Sequence, residues 1–186
     1  MRGGTASTPE DDRPGYLEAI ERVGVLRALA PFDPRIAGTP PLGLDLPSSD
    51  IDILCHAPDA AAFTLAAWEA FGGYSGFLIR QWTGADRPVV CNFTAQGWPF
   101  EIFGQALPVD RQQGWRHFLV ERRLLEWGGP AFRSAVMIAR SEGAKTEPAF
   151  AAALRLPGDP YEALLTLEAG PDDALRGLLG AAGYRA

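Results

Sequence analysis

Gly38-Thr39-Pro40-Pro41-Leu42-Gly43-Leu44-Asp45-Leu46-Pro47-Ser48-Ser49-Asp50-Ile51-Asp52-Ile53-Leu54-Cys55-His56 is the stretch that decides how this chain folds. Its end alternates acid with isoleucine, and in an extended strand successive side chains point to opposite faces. A strand predicted over 50–56 therefore sends Ile51 and Ile53 to a side that packs and places Asp50 and Asp52 together on the other. The beginning of the stretch is rich in glycine and proline, the composition of a turn, and follows a short strand predicted over 35–39. Two carboxylates at i and i+2 of one strand can converge on a hard divalent cation. The plainer alternative is a polar strand start. The turn adds context: Gly38 lets the backbone approach a phosphate closely, and Thr39 offers a hydroxyl to its oxygens.

Working outward, Leu17, Ile20, Val23, Leu26 and Leu29 recur at three-residue steps and predict one amphipathic helix over 16–29, ended by Pro31 and Pro34. An alanine-rich helix is expected over 59–71, capped by Asp59 and stopped by Gly72 and Gly73. Strands over 76–82, 88–94 and 98–104, separated by turn residues, read as a meander. After Pro108 the pattern turns helical, over 110–127, 131–142, 147–154, 161–167 and 172–182. The organisation expected is a flexible arm over 1–14, an α/β core over 15–107 and a helical region over 108–186 packed on it.

Composition narrows the function classes. With 47% hydrophobic and 22% charged residues, the 186-residue chain is an ordinary folded protein. A net charge of −6 disfavours a long nucleic acid as partner, because binding to a phosphate backbone rests on lysine and arginine. Two cysteines and two histidines write no zinc motif, so any metal is expected on oxygen ligands. Cys55 and Cys91 lie in apolar runs and are expected as buried thiols. Most of the five tryptophans are expected in the core. The first fifteen residues lack the apolar stretch of a signal peptide, and no segment is apolar enough for a membrane span. The cytoplasm is the expected compartment.

With the turn and the paired acids in place, the sequence resembles the nucleotidyltransferase superfamily of the DNA polymerase β-like fold. The signature of that superfamily is a Gly-Ser or Gly-Gly turn after a short strand, a spacer, and Asp-x-Asp on the next strand. Here it reads Gly38-Thr39, spacer, Asp50-Ile51-Asp52. Within the superfamily the chain is most similar to an uncharacterised bacterial family. The shared features are the turn from Gly38 to Asp45, Ser49-Asp50-Ile51-Asp52, Glu101-Ile102-Phe103-Gly104-Gln105 and Lys145-Thr146-Glu147-Pro148-Ala149-Phe150. The resemblance covers 16–167.

That resemblance implies an α/β fold with a mixed sheet of about five strands, flanked by helices and followed by a helical layer. It implies Asp50, Asp52 and Glu101 as catalytic metal ligands, and Gly38 and Thr39 on the triphosphate. It also implies two Mg²⁺ or Mn²⁺ ions about 4 Å apart. The reaction would move a nucleoside monophosphate from a nucleoside triphosphate to an unknown small-molecule or protein acceptor. Three departures stand out: threonine replaces the usual serine, two prolines remove amide donors from the turn, and glutamate stands where aspartate is commoner. They keep a second reading open, a non-catalytic nucleotide-binding or protein-interaction module that retains the fold. Lys145 is a candidate for the phosphates, and Asp45, Gln105, Arg116, His117 and Glu121 are candidates for substrate contact. For the helix after Pro108 the alternative is a solvated arginine face with His117 bonded to Glu121, four residues on. A homodimer is the assembly left open.

Overall fold

The alternation that starts at Asp50 builds the central sheet of the computed structural model, which describes residues 13–84 and 86–184. The elements in chain order are α1 (Tyr16–Val23), α2 (Val25–Ala28), β1 (Arg35–Ala37), β2 (Ile51–His56), α3 (Ala60–Phe71), β3 (Ser75–Gln81), β4 (Val89–Ala95) and β5 (Trp98–Gln105). The long α4 (Gln113–Ser141), α5 (Thr146–Leu154), α6 (Pro160–Glu168) and α7 (Asp172–Ala182) follow. The five strands form one mixed sheet in the order β1-β2-β5-β4-β3. β3, β4 and β5 are antiparallel neighbours, as the meander reading expects, and β2 runs parallel to β5. This is the mixed five-stranded α/β architecture, with flanking helices and a helical region after it, that the sequence reading expects.

By its internal contacts the chain divides into two units. The first takes the chain up to Arg35 together with Pro47–Ala106; the second takes Ile36–Leu46 and everything from Leu107 onward. In the first unit, Ile51, Ile53 and Cys55 of β2 and Phe100 and Ile102 of β5 are fully buried. Cys91 and Phe93 of β4 share their face by register. Helix α3 supplies Phe63, Ala67 and Phe71 to the interior. Phe71, Phe93 and Phe100 stack in sequence with centroids 4.8 and 4.9 Å apart. At Gly104 the ring of Phe63 comes so close that an added Cβ would lie 2.5 Å from it, so no larger residue fits without movement. Asp59 caps α3 as expected, its carboxylate accepting from the Ala61 and Ala62 amides at 3.0 Å.

The thiols of Cys55 and Cys91 are buried and reduced. Burial pushes both up to about 12, with the charge of Asp33 adding to the effect at Cys55. Of the arm expected over 1–14, residues 1–12 lie outside the described residues. Arg13 and Pro14 are held against Trp98: the guanidinium lies 3.7 Å over the indole, and the indole N–H donates to the Pro14 carbonyl at 2.8 Å.

Two expectations change. The single helix over 16–29 is two, because Gly24 takes the left-handed conformation (φ 72°) and its amide closes α1 onto the Ile20 and Glu21 carbonyls. The tryptophans are not mostly core: Trp98 is buried, but Trp68 and Trp82 are 60% and 51% exposed. Each rests edge-on against one phenylalanine, Phe77 and Phe103 respectively, which shields a single side of the indole.

In the second unit α4 is interrupted at Gly129 (φ 65°, ψ −170°), immediately before Pro130, where the sequence expects a break between two helices. Phe132 sits in its core against Phe150 and Tyr184. Arg123 donates to the Glu168 and Gly170 carbonyls and pairs with Asp172, tying down the α6–α7 turn. No helix among the described residues is long and apolar enough to cross a membrane.

Candidate functional site

Parallel pairing of β2 with β5 sets Asp52 directly opposite Glu101, with Ile51 opposite Phe100 and Ile53 opposite Ile102 on the packed face. Neighbouring strands lie about 4.8 Å apart, so two acids in direct register on one face are within reach of a common ligand. Asp50, one residue ahead of β2, continues the alternation on the acids' side, and all three carboxylate residues are only partly buried. On the other flank of β5, Asn92 of β4 stands opposite Glu101. Its side-chain N–H donates to the Glu101 Oε2 at 3.0 Å. A polar row Asp52, Glu101, Asn92 thus crosses three strands. One pleat along, Leu54, Phe103 and Val90 form an apolar row in the same register. A pleat beyond that, His56 faces Gln105, whose amide donates to Asp86 at 3.2 Å.

The donor set is all hard oxygen, the chemistry magnesium and manganese take. Among the described residues no three carboxylate, imidazole or thiol groups already converge to metal-ligand distances.

The remaining sequence candidates for phosphate belong to the helical unit. Gly38 has φ 75°, a conformation glycine adopts without strain. Thr39 follows, buried, and its carbonyl accepts from the Leu42 and Leu44 amides, both at 3.1 Å. Pro40–Leu42 is a 3-10 turn. The turn is clasped from α4: Arg133 Nη1 donates to the Leu42 carbonyl at 2.6 Å and to the Gly43 carbonyl at 3.1 Å, and Arg140 Nε donates to the Leu44 carbonyl at 3.1 Å. Asp45 is exposed in the same segment, and Lys145 is exposed at the N-cap of α5.

Arg116 is spent on Glu168, 2.8 Å away across the helical unit. His117 and Glu121 lie inside that unit rather than on a solvated stripe, 6% and 4% exposed. His117 does not bond Glu121: its Nε2 is 3.0 Å from the Tyr161 carbonyl, and its Nδ1 is 3.5 Å from Glu147. The i, i+4 spacing gave the right face of the helix but not the neighbours, because α5 and α6 cover that face. Burial raises the Glu121 carboxyl well above the usual carboxylate range, the charge of Glu147 raises it further, and Arg140 opposes both. Glu121 Oε1 has no hydrogen-bond partner among the described residues. Asn92, Arg133 and Arg140 escaped the sequence reading. Asn92 carried one signal, a lone amide in the otherwise apolar run Val89-Val90-Cys91-Asn92-Phe93.

Solved structures share this fold. The Cid1 poly(U) polymerase with MgGTP bound matches with a TM-score of 0.53 at 13% identity, over 80% of this chain and 46% of that chain. The GLD-2/RNP-8 complex matches with a TM-score of 0.53 at 12% identity, over 94% of this chain and 68% of that one. Cid1 with Mg 3'-dATP bound gives 0.51 at 14% identity, over 82% and 49%. The chain thus spans about half the length of the Cid1 chains it matches. No curated protein matches it in sequence. Residues 18–167, most of the length, match the family described as a domain of unknown function, DUF4269, and the chain belongs to that family.

Proposed function

We propose that this protein is a metal-dependent nucleotidyltransferase that moves a nucleoside monophosphate from a nucleoside triphosphate to a small-molecule or protein acceptor. The observation that carries the reading is the direct register of Asp52 with Glu101 across β2 and β5, with Asp50 one alternation earlier. The fold shared with MgGTP-bound Cid1 adds support.

Asp50, Asp52 and Glu101 would hold Mg²⁺ or Mn²⁺. When bound, that ion supplies positive charge against the triphosphate and lowers the pKa of the attacking hydroxyl. Asp50 and Asp52 would act on the α-phosphate through the ion they hold, Glu101 would receive the acceptor's proton, and pyrophosphate would leave as the acceptor oxygen bonds to the α-phosphorus. Gly38, Thr39 and Lys145, which belong to the helical unit, remain phosphate candidates by the resemblance of the sequence alone. A long RNA acceptor is disfavoured on two grounds. The net charge is −6. In addition, Arg116, Arg123, Arg133 and Arg140 are engaged with partners inside the helical unit rather than forming a stripe for phosphates.

The test is to mix purified protein with Mg²⁺ or Mn²⁺ and each of the four nucleoside triphosphates in turn. Metal-dependent nucleotide binding by calorimetry and pyrophosphate release with a pool of acceptors are expected, both abolished in Asp50→Ala/Asp52→Ala. Absence of both in the wild type would remove the proposal. The second reading, a non-catalytic nucleotide-binding module, is favoured by the two prolines that leave the phosphate turn fewer amides. Tight nucleotide binding without pyrophosphate release would select it.

A further inference from the structure

Asn92 has no role in the reading above. It stands in register with Glu101 on the face that also carries Asp52. Its amide donates to one oxygen of the Glu101 carboxylate at 3.0 Å. Its own carbonyl oxygen is buried and accepts no hydrogen bond from any described residue. Turning the amide over would set its carbonyl oxygen against the carboxylate and lose the one bond the side chain makes. The orientation is therefore fixed by Glu101, and the orphaned oxygen is the cost of aiming the donor there. Neighbouring positions of β4 are Val90, Cys91 and Phe93, all buried, so an apolar residue at 92 would fit the strand without an orphaned acceptor. What an apolar residue cannot do is grip a carboxylate oxygen.

From this geometry we infer that Asn92 is a positioning residue for Glu101: it fixes one carboxylate oxygen and so determines which oxygen is presented on the side of Asp52. The inference rests on the assignment of Asp50, Asp52 and Glu101 as metal ligands. Groups that orient metal ligands in this way typically alter metal affinity by about 10 to 100-fold when removed. Leucine keeps the heavy-atom branching of asparagine, with bulkier methyl groups, and removes both the donor and the orphaned acceptor.

The experiment is a Mn²⁺ titration, followed by electron paramagnetic resonance and calorimetry, of the intact wild-type chain, Asn92→Leu, Glu101→Ala and the double variant, each first shown to melt cooperatively. Asn92→Leu is expected to weaken Mn²⁺ binding about tenfold. In the Glu101→Ala background it is expected to change nothing more, because Asn92 acts through Glu101. Equal affinities for wild type and Asn92→Leu would overturn the role of Asn92 alone. An equal loss in both backgrounds would also overturn it, as the mark of a general structural effect. No Mn²⁺ binding by the wild type, or binding unaffected in Asp50→Ala/Asp52→Ala, would overturn the metal-site reading and this inference with it. As a second safeguard against misfolding, Asn92→Ser is expected to recover part of the affinity if its hydroxyl reaches the same carboxylate.

Discussion

Single carboxylates in this protein do opposite things according to what surrounds them. Glu121, packed inside the helical unit, favours its protonated form because burial and Glu147 outweigh Arg140. Its folded pKa exceeds its unfolded one, so between those two values the folded state binds more protons, and stability falls as pH rises. Stability is greatest below the unfolded value, about 4.3 for glutamate, and declines until the raised folded value is passed. Glu121→Gln removes that slope. Its melting temperature, followed by circular dichroism from pH 5 to 9, should gain on the wild type as pH increases; a constant difference would assign the slope elsewhere. Asp50 and Asp52, by contrast, are partly exposed acids two positions apart. Replacing both with alanine relieves like-charge repulsion, so the melting temperature should hold or rise while metal binding is lost. A fall of several degrees would make them structural residues.

At the level of elements, most of the sheet was legible because alternation and turn residues are local signals. Asp50-Ile51-Asp52-Ile53 reads as a strand with an acidic face, and the strand forms. Asp59 announces α3, and Gly129-Pro130 announces the break in α4. Gly24 was harder to read: a glycine inside a continuous apolar period is tolerated in many helices, and only its left-handed backbone ends α1 here. Registers between strands distant in sequence were not legible. Nothing local says that Glu101 meets Asp52, since that pairing depends on where the chain returns after the β2–α3–β3 crossover; its pairing with Asn92 follows instead from the tight turn at Gln96-Gly97, which closes Ala95 onto Trp98. Close packing between elements was equally hidden. Gly104 reads as a weak point in a strand, yet it is the seat of the Phe63 ring. Gly104→Ala should therefore destabilise the protein by about 1 to 3 kcal/mol, as overpacking does; urea denaturation measures it, and a neutral result would mean that the ring swings aside cheaply.

For the molecule as a whole, the sequence reading reached the architecture, strand meander followed by helices, because apolar periodicity changes from two to between three and four after Pro108. It read the acid pair from strand alternation, took a metal role for that pair from resemblance, and left His117 and Glu121 open to substrate. Their enclosure is a property of three helices packed together, invisible to the spacing within one. The partition into units was also beyond a linear reading: a segment of eleven residues, Ile36–Leu46, leaves the chain's first unit to join helices that come much later.

That detour has a bearing on biosynthesis. Leu42 and Leu44 emerge from the ribosome 91 and 96 positions ahead of Arg133 and Arg140, the side chains that later grip their carbonyls. Until α4 is made, the loop that carries Gly38 and Thr39 has no guanidinium clasp and must fluctuate, so its native shape is acquired late, by long-range closure. A polypeptide terminated after Ala106 should retain protected sheet amides in hydrogen exchange while those of 38–46 exchange freely. Protection of that loop in the shortened chain would show that it folds without its arginines.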